Sequence, residues 1–162
     1  MGNGNKCFEQ LYESHYAMVF QLCMGFLKGH HESAKDLAHE TFLNAWRAFD
    51  RFQGKASSKT WLYRIAVNTC LKYLRDNRVK ASVSIEDGHS YLQSTEEEVD
   101  HEYNVLYRAI GQLREVDRLI IMMVVDEMDY KEIAEVMGIT ETNLRVKIHR
   151  IKNQLKKLLE NE

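Results

Sequence analysis

The sequence predicts an all-α protein of two small helical domains joined by a flexible acidic linker. Three observations carry that prediction. The 162 residues include no proline, so the strongest helix-breaking signal is missing throughout. Apolar residues recur three and four apart over long stretches, which is the period of one helical face. Strongly β-forming runs are short, and one interval, Val79 to about Glu98, loses the period while gathering Ser, Asp, Glu and Gly88.

Phe8 to Lys28 reads as the first helix, with Phe8, Leu11, Tyr12, Val19, Leu22, Cys23 and Phe26 near helical spacing. Gly29 to Glu32 reads as a turn. Ser33 is the expected N-cap of the next helix, with Asp36 as an acidic capping partner. That helix should run to about Asp50. Arg51 to Ser58, with Gly54 and paired serines, reads as a loop before a third helix from Lys59 to about Arg78. The linker, 79–98, follows, so the expected domains are 1–78 and 99–162. Helices resume at Val99 to Leu113, Glu115 to Glu127, Tyr130 to Met137 and Glu141 to Glu160.

Composition excludes several classes. Hydrophobic residues at 44% and charged residues at 28% suit a globular chain rather than a disordered one. The longest apolar run, Leu119 to Val125, is far too short to span a membrane. Met1 to Lys6 is polar and glycine-rich, so no signal peptide is expected. Cys7, Cys23 and Cys70 are odd in number and well separated, which suits reduced thiols in the cytoplasm.

The net charge of −2 hides a pattern. Arg51 to Lys80 holds eight Lys/Arg and one acid, a net of +7. Ile85 to Glu102 holds seven acids and no Lys/Arg, a net of −7. Asn143 to Leu159 holds six Lys/Arg and no acid. A single basic block is ordinarily a solvated helix face. Two blocks, each tied to a motif, point to phosphate backbones, which respond to local charge more than to the total.

The C-terminal motif is a helix-turn-helix. Asp129 and Glu132 can cap the short helix that starts at Tyr130, Gly138 supplies the left-handed turn, and Thr140 caps the longer helix. On that longer helix Leu144, Ile148, Ile151, Leu155 and Leu158 form one apolar stripe, which must be buried. Thr142, Arg145, Val146, His149, Arg150 and Asn153 fall on the opposite face. Arginines there suit phosphates or guanine edges, and Val146 suits a thymine methyl.

Two helices of the N-terminal half carry unusual outer faces. On the Ser33 helix the core side is Ala34, Leu37, Ala38, Thr41, Phe42, Ala45 and Phe49, which leaves Asp36, Glu40, Leu43 and Arg47 outside. An exposed Leu43 among charges suggests a protein contact, although single exposed leucines are common. On the Lys59 helix Leu62, Ile65, Ala66, Thr69 and Tyr73 point inward, and Trp61, Arg64, Asn68, Lys72 and Arg75 share another stripe. Cations for phosphates, an aromatic for stacking and an amide for a base edge suit single-stranded DNA. Core packing explains Trp61 at least as well.

These strings resemble the bacterial RNA polymerase sigma factors of the extracytoplasmic-function (ECF) group. Asp36 to Trp46 is similar to the family's region 2.2, D-L-x-Q-E-T-F-x-x-A-W, and Trp61 to Asn68 to the W-L-x-x-I-A-x-N of regions 2.3 and 2.4. Tyr130 to Gly138 resembles the Y-x-E-I-A-x-x-x-G of region 4, and Leu144 to Leu155 its recognition helix. The resemblance covers nearly the whole chain in the family's order. It implies that Asp36, Glu40, Leu43 and Arg47 meet the β′ clamp helices of core polymerase, with the β flap a further contact. It implies that the Lys59 helix and the loop before it melt the −10 element, and that the C-terminal helix reads the −35 element as duplex. It implies a linker that threads toward the active centre, mimicking RNA, and an anti-sigma partner, with no cofactor, metal, enzymatic activity or membrane insertion. His39 departs from a usual glutamine, Arg114 from a proline and Met128 from a glycine. With no long C-terminal extension in the sequence, no built-in sensor domain is expected.

Two rival readings exist. An ordinary helix-turn-helix regulator accounts for the residues from Tyr130 onward but not for the Lys59 stripe. A small enzyme or metal protein would need a motif such as H-E-x-x-H, C-x-x-C or a phosphate loop, and the sequence has none.

Overall fold

The first helix, α1, spans Gly2–Phe26, so the polar, glycine-bearing start of the chain continues the helix expected only from Phe8. Its buried side chains include Leu11, Val19, Leu22, Cys23 and Phe26 of the expected stripe, while Phe8 is half-buried and Tyr12 exposed. It stops where Lys28 and Gly29 take positive φ (60° and 83°) and the Gly29 N–H returns to the Met24 carbonyl at 2.8 Å. The structure is a computed structural model that describes residues 2–83 and 101–161.

The second helix, α2 (His31–Ala48), begins two residues before the expected cap. His30, in extended conformation, is the N-cap and makes no side-chain cap bond; Ser33 lies inside the first turn. Glu32 in that turn favours the positive end of the helix dipole. A single 3₁₀ turn, Phe49–Arg51, closes the helix. The next helix, α3 (Ser58–Val83), is capped by Ser57, whose Oγ accepts the Thr60 N–H at 3.1 Å. It runs five residues past Arg78, so Val79–Val83, read as linker, are helical. Nothing in that stretch, which lacks Gly and Pro, stops the helix. The remainder of the expected linker lies outside the described residues.

Four further helices follow: α4 (His101–Gly111), α5 (Glu115–Val125), α6 (Tyr130–Met137) and α7 (Glu141–Glu160). Arg114 caps α5 with φ −62° and ψ 153°, backbone angles that a proline would also hold, so this departure keeps the shape. The positive φ between α5 and α6 falls on Glu127 (59°), not on Met128, which is buried. Asp129 is the N-cap of α6 but makes no side-chain cap bond, contrary to the capping pair expected with Glu132.

Helices α1, α2 and α3 pack on one another, and α7 packs on α4, α5 and α6. These groups are not separate. α1 lies against α4 and α5, and α3 against α6, so one hydrophobic core runs from Val19 through Tyr63 and Met123 to Leu155. Within it Cys23 and Cys70 are fully buried; a hydrogen bond between them, with burial, pushes the Cys70 thiol well up.

Candidate nucleic-acid interface

The helix-turn-helix forms as its local signals dictate. Gly138 sits in the left-handed region (φ 68°, ψ 33°), and the Ile139 N–H bonds the Ala134 carbonyl at 3.1 Å. Thr140 Oγ1 accepts the Asn143 N–H at 3.2 Å, one of the first-turn donors that α7 leaves open. Leu144, Ile148, Ile151 and Leu155 are buried and Leu158 half-buried. Their burial turns the other face out: Thr142, Arg145, Val146, His149, Arg150 and Asn153 are all exposed, Val146 by 57%.

Arg145 is held in place on that face. Its Nη2 lies 2.9 Å from Glu141 Oε1, one turn back, and its guanidinium sits 5.2 Å from the Tyr130 ring centre on α6. Lys152 Nζ reaches the Tyr130 hydroxyl at 3.5 Å. Asn153 Nδ2 lies 3.3 Å from His149 Nε2. A planar cation with a fixed orientation, near the N-terminal end of an exposed helix, suits bidentate recognition of a base edge or phosphate.

On α3, Arg64, Asn68, Lys72 and Arg75 are exposed along one stripe, as expected. Trp61 is half-buried, its ring 4.7 Å from Phe52 and 6.3 Å from Phe49, so the loop before α3 already packs on it. Only part of the indole is left to stack on a base. Asn68 and Arg75 also line a cleft of about 480 Å³ with Leu71, Leu74, Arg78 and, from α5, Glu115 and Val116.

On α2, Asp36, Glu40, Leu43 and Arg47 are exposed, Leu43 by 44%. Trp46 joins them at 47% exposure, its ring edge-on to Phe8 of α1 at 4.9 Å. It is absent from the face read in the sequence; its place one turn on from Leu43 is the signal that finds it. Asn44 ties this face to α3, because its Nδ2 donates to Thr69 Oγ1 at 3.1 Å and its Oδ1 accepts from Arg47 Nη1 at 3.4 Å. Among the described residues no group of three or more His, Cys, Asp or Glu side chains is placed to hold a metal ion. None of the described helices is long and apolar enough to cross a membrane.

Two family models match: Sigma-70 region 2 over residues 11–79 and Sigma-70, region 4 over residues 103–155. The ECF RNA polymerase sigma factor SigW of Bacillus subtilis is 30% identical over 166 residues, covering 94% of this chain and 88% of that one. The chain belongs to the ECF sigma factors. The RNA polymerase sigma factor YlaC of Bacillus subtilis is 29% identical over 157 residues, covering 92% of this sigma factor and 90% of YlaC. Among solved structures, the sigma factor RpoE in complex with the anti-sigma factor NepR from Bartonella quintana matches with a TM-score of 0.79 at 20% identity, over 96% of this chain and 98% of that one. CnrH in complex with the cytosolic domain of CnrY matches with a TM-score of 0.69 at 23% identity, over 98% and 90%. The region 2 match ends inside α3, and the region 4 match begins inside α4 and takes in the helix-turn-helix.

Proposed function

We propose that this sigma factor binds core RNA polymerase and directs promoter-specific initiation through three separate faces. The α2 face of Asp36, Glu40, Leu43, Trp46 and Arg47 takes the β′ clamp helices. The α3 stripe of Arg64, Asn68, Lys72 and Arg75, with the open part of Trp61, takes the −10 element as single strand. The α7 face of Thr142, Arg145, Val146, His149, Arg150 and Asn153 takes the −35 element in the major groove. The region 2 unit ends near Val83 and the region 4 unit begins near His101. The protein works in the cytoplasm, as a stoichiometric factor rather than an enzyme, under an anti-sigma partner.

One observation supports the division most directly. The polar face of α7 lies opposite a buried stripe and is exposed along its length, while a second exposed basic stripe runs along α3 from a half-buried Trp61 packed by Phe52. A regulator that only bound duplex would have no use for the second. The deciding experiment adds the purified protein to core polymerase and a mapped promoter template. Specific initiation with core alone is expected. Duplex binding without initiation would favour the helix-turn-helix regulator.

A further inference from the structure

Arg145 and its two partners make a unit that the family match does not assign. Glu141 is the first residue of α7, one step after the Thr140 cap, so its backbone is fixed. From there its Oε1 meets Arg145 Nη2 at 2.9 Å. The other hold comes from a different helix. Tyr130 opens α6, packs against the core, and sets its ring 5.2 Å from the guanidinium carbon. Lys152, further along α7, lies 3.5 Å from the Tyr130 hydroxyl.

Such an ion pair contributes little to stability, because both side chains are open to water, 62% for Arg145 and 45% for Glu141. Its consequence is for what Arg145 can bind. A phosphate attracts an arginine by charge, in many geometries; a base edge attracts it through aligned N–H donors. At 2.9 Å Glu141 offsets much of the cationic charge but occupies only one direction of a fork with several N–H donors. It also meets any nearby phosphate with a like charge. The Tyr130 ring adds direction, since a cation over an aromatic face is held without using its N–H groups. Less charge and more direction favour the base edge over the phosphate.

We propose that Glu141 and Tyr130 are positioning residues that set specificity: together they make Arg145 the reader of a guanine edge in the upstream duplex and keep it from serving as a general phosphate anchor. Guanine is the base whose two major-groove acceptors match two arginine donors. Glu141 and Tyr130 touch no base in this scheme; both act through Arg145. The inference rests on the reading of α7 as the −35 helix.

The test uses the full chain bound to core polymerase, on duplexes that carry either a mapped upstream element or a scrambled one, over a range of salt. Glu141→Gln removes the charge and keeps an oxygen for Arg145. It should tighten binding to the scrambled duplex severalfold and steepen its salt slope by about one unit. Preference for the mapped element should shrink, because Arg145 gains a phosphate only where it has no guanine to read. With Arg145→Ala already in place, the same change should have little effect. Tyr130→Leu should leave the scrambled duplex and its slope as they were and cut discrimination at one guanine-bearing position roughly tenfold. Tyr130→Phe, which keeps the ring, should discriminate as the wild type does. Core affinity and dichroism are read alongside; should Tyr130→Leu not fold, the surface change Glu141→Gln decides alone. The proposal is overturned by an unchanged slope and preference in Glu141→Gln, or by a Glu141→Gln effect that persists without Arg145. Equal losses on both duplexes in Tyr130→Leu, or a Tyr130→Phe that behaves as Tyr130→Leu, overturn it too. A wild type blind to the upstream element would instead defeat the α7 reading, and the proposal with it; a discriminating wild type with indifferent variants defeats the proposal alone.

Discussion

Arg145 illustrates how a single exposed side chain can be held in one orientation before any ligand is present. A free arginine carries several rotatable bonds, and ordering them on binding opposes affinity. Here Glu141 and Tyr130 already hold the guanidinium. The ion pair itself is exposed and contributes little to stability; its effect is orientation. Arg145→Ala should therefore weaken binding to the upstream duplex by about 1–3 kcal/mol and relax specificity at one position. A uniform loss across sequences, with the salt slope lower by about one unit, would assign the residue to phosphate instead. Thr140 makes a simpler case. Its hydroxyl caps α7, so Thr140→Ala should lower stability by about 1 kcal/mol, read as a fall in melting temperature with far-ultraviolet dichroism otherwise normal.

At the scale of elements, legibility followed the range of the signal. The turn and both helices of the helix-turn-helix were readable because Gly138, Thr140 and the apolar stripe of α7 lie within a few residues of what they determine. The outer faces of α2 and α3 were readable by the same periodicity. The ends of α1 and α3 were not: glycines near a terminus lower helix propensity without forbidding it, and lost amphipathic period at Val79–Val83 did not mean lost helix. Ser33 looked like a cap, but the helix had already started at His31. Trp46 and Asn44 escaped because their roles depend on Phe8 and Thr69, far away in sequence. The two faces make separate predictions. Glu40→Lys and Leu43→Glu should each reduce affinity for core polymerase at least severalfold without loss of helicity, since both side chains are exposed; core affinity unchanged in both would remove α2 from that contact. Asn68→Ala should leave core and duplex binding intact and impair promoter opening, seen as weaker permanganate reactivity of unpaired thymines. Normal opening would remove Asn68 from the mechanism.

For the molecule as a whole, the sequence predicts the two helical domains but not that they pack on each other through a shared core. Tyr63 donates to Asp126 Oδ2 from 63 residues away, and Arg118 to the Phe26 carbonyl from 92 away. No periodicity can pair such groups. A lone buried arginine would ordinarily read as an exposed charge, and burial does lower the Arg118 pKa, with Glu115 opposing the shift. Tyr63 is pushed the other way, well above its usual value, by burial and by the Asp126 bond, so it stays a donor at physiological pH. A shared core implies shared cooperativity: if regions 2 and 4 fold against each other, neither loses its packing without exposing the partner's apolar surface. The free wild-type protein should then melt in a single calorimetric transition, with calorimetric and van't Hoff enthalpies equal. Asp126→Asn with Tyr63→Phe removes the polar link but little apolar area, so the double variant should melt in two overlapping transitions, with the van't Hoff enthalpy falling below the calorimetric one. Two transitions already present in the wild type would mean that the interface is too weak to couple the halves. One transition persisting in the double variant would place the coupling in the apolar contact around Gly25 and Met122, and Gly25→Val, which forces that contact apart, should then split it.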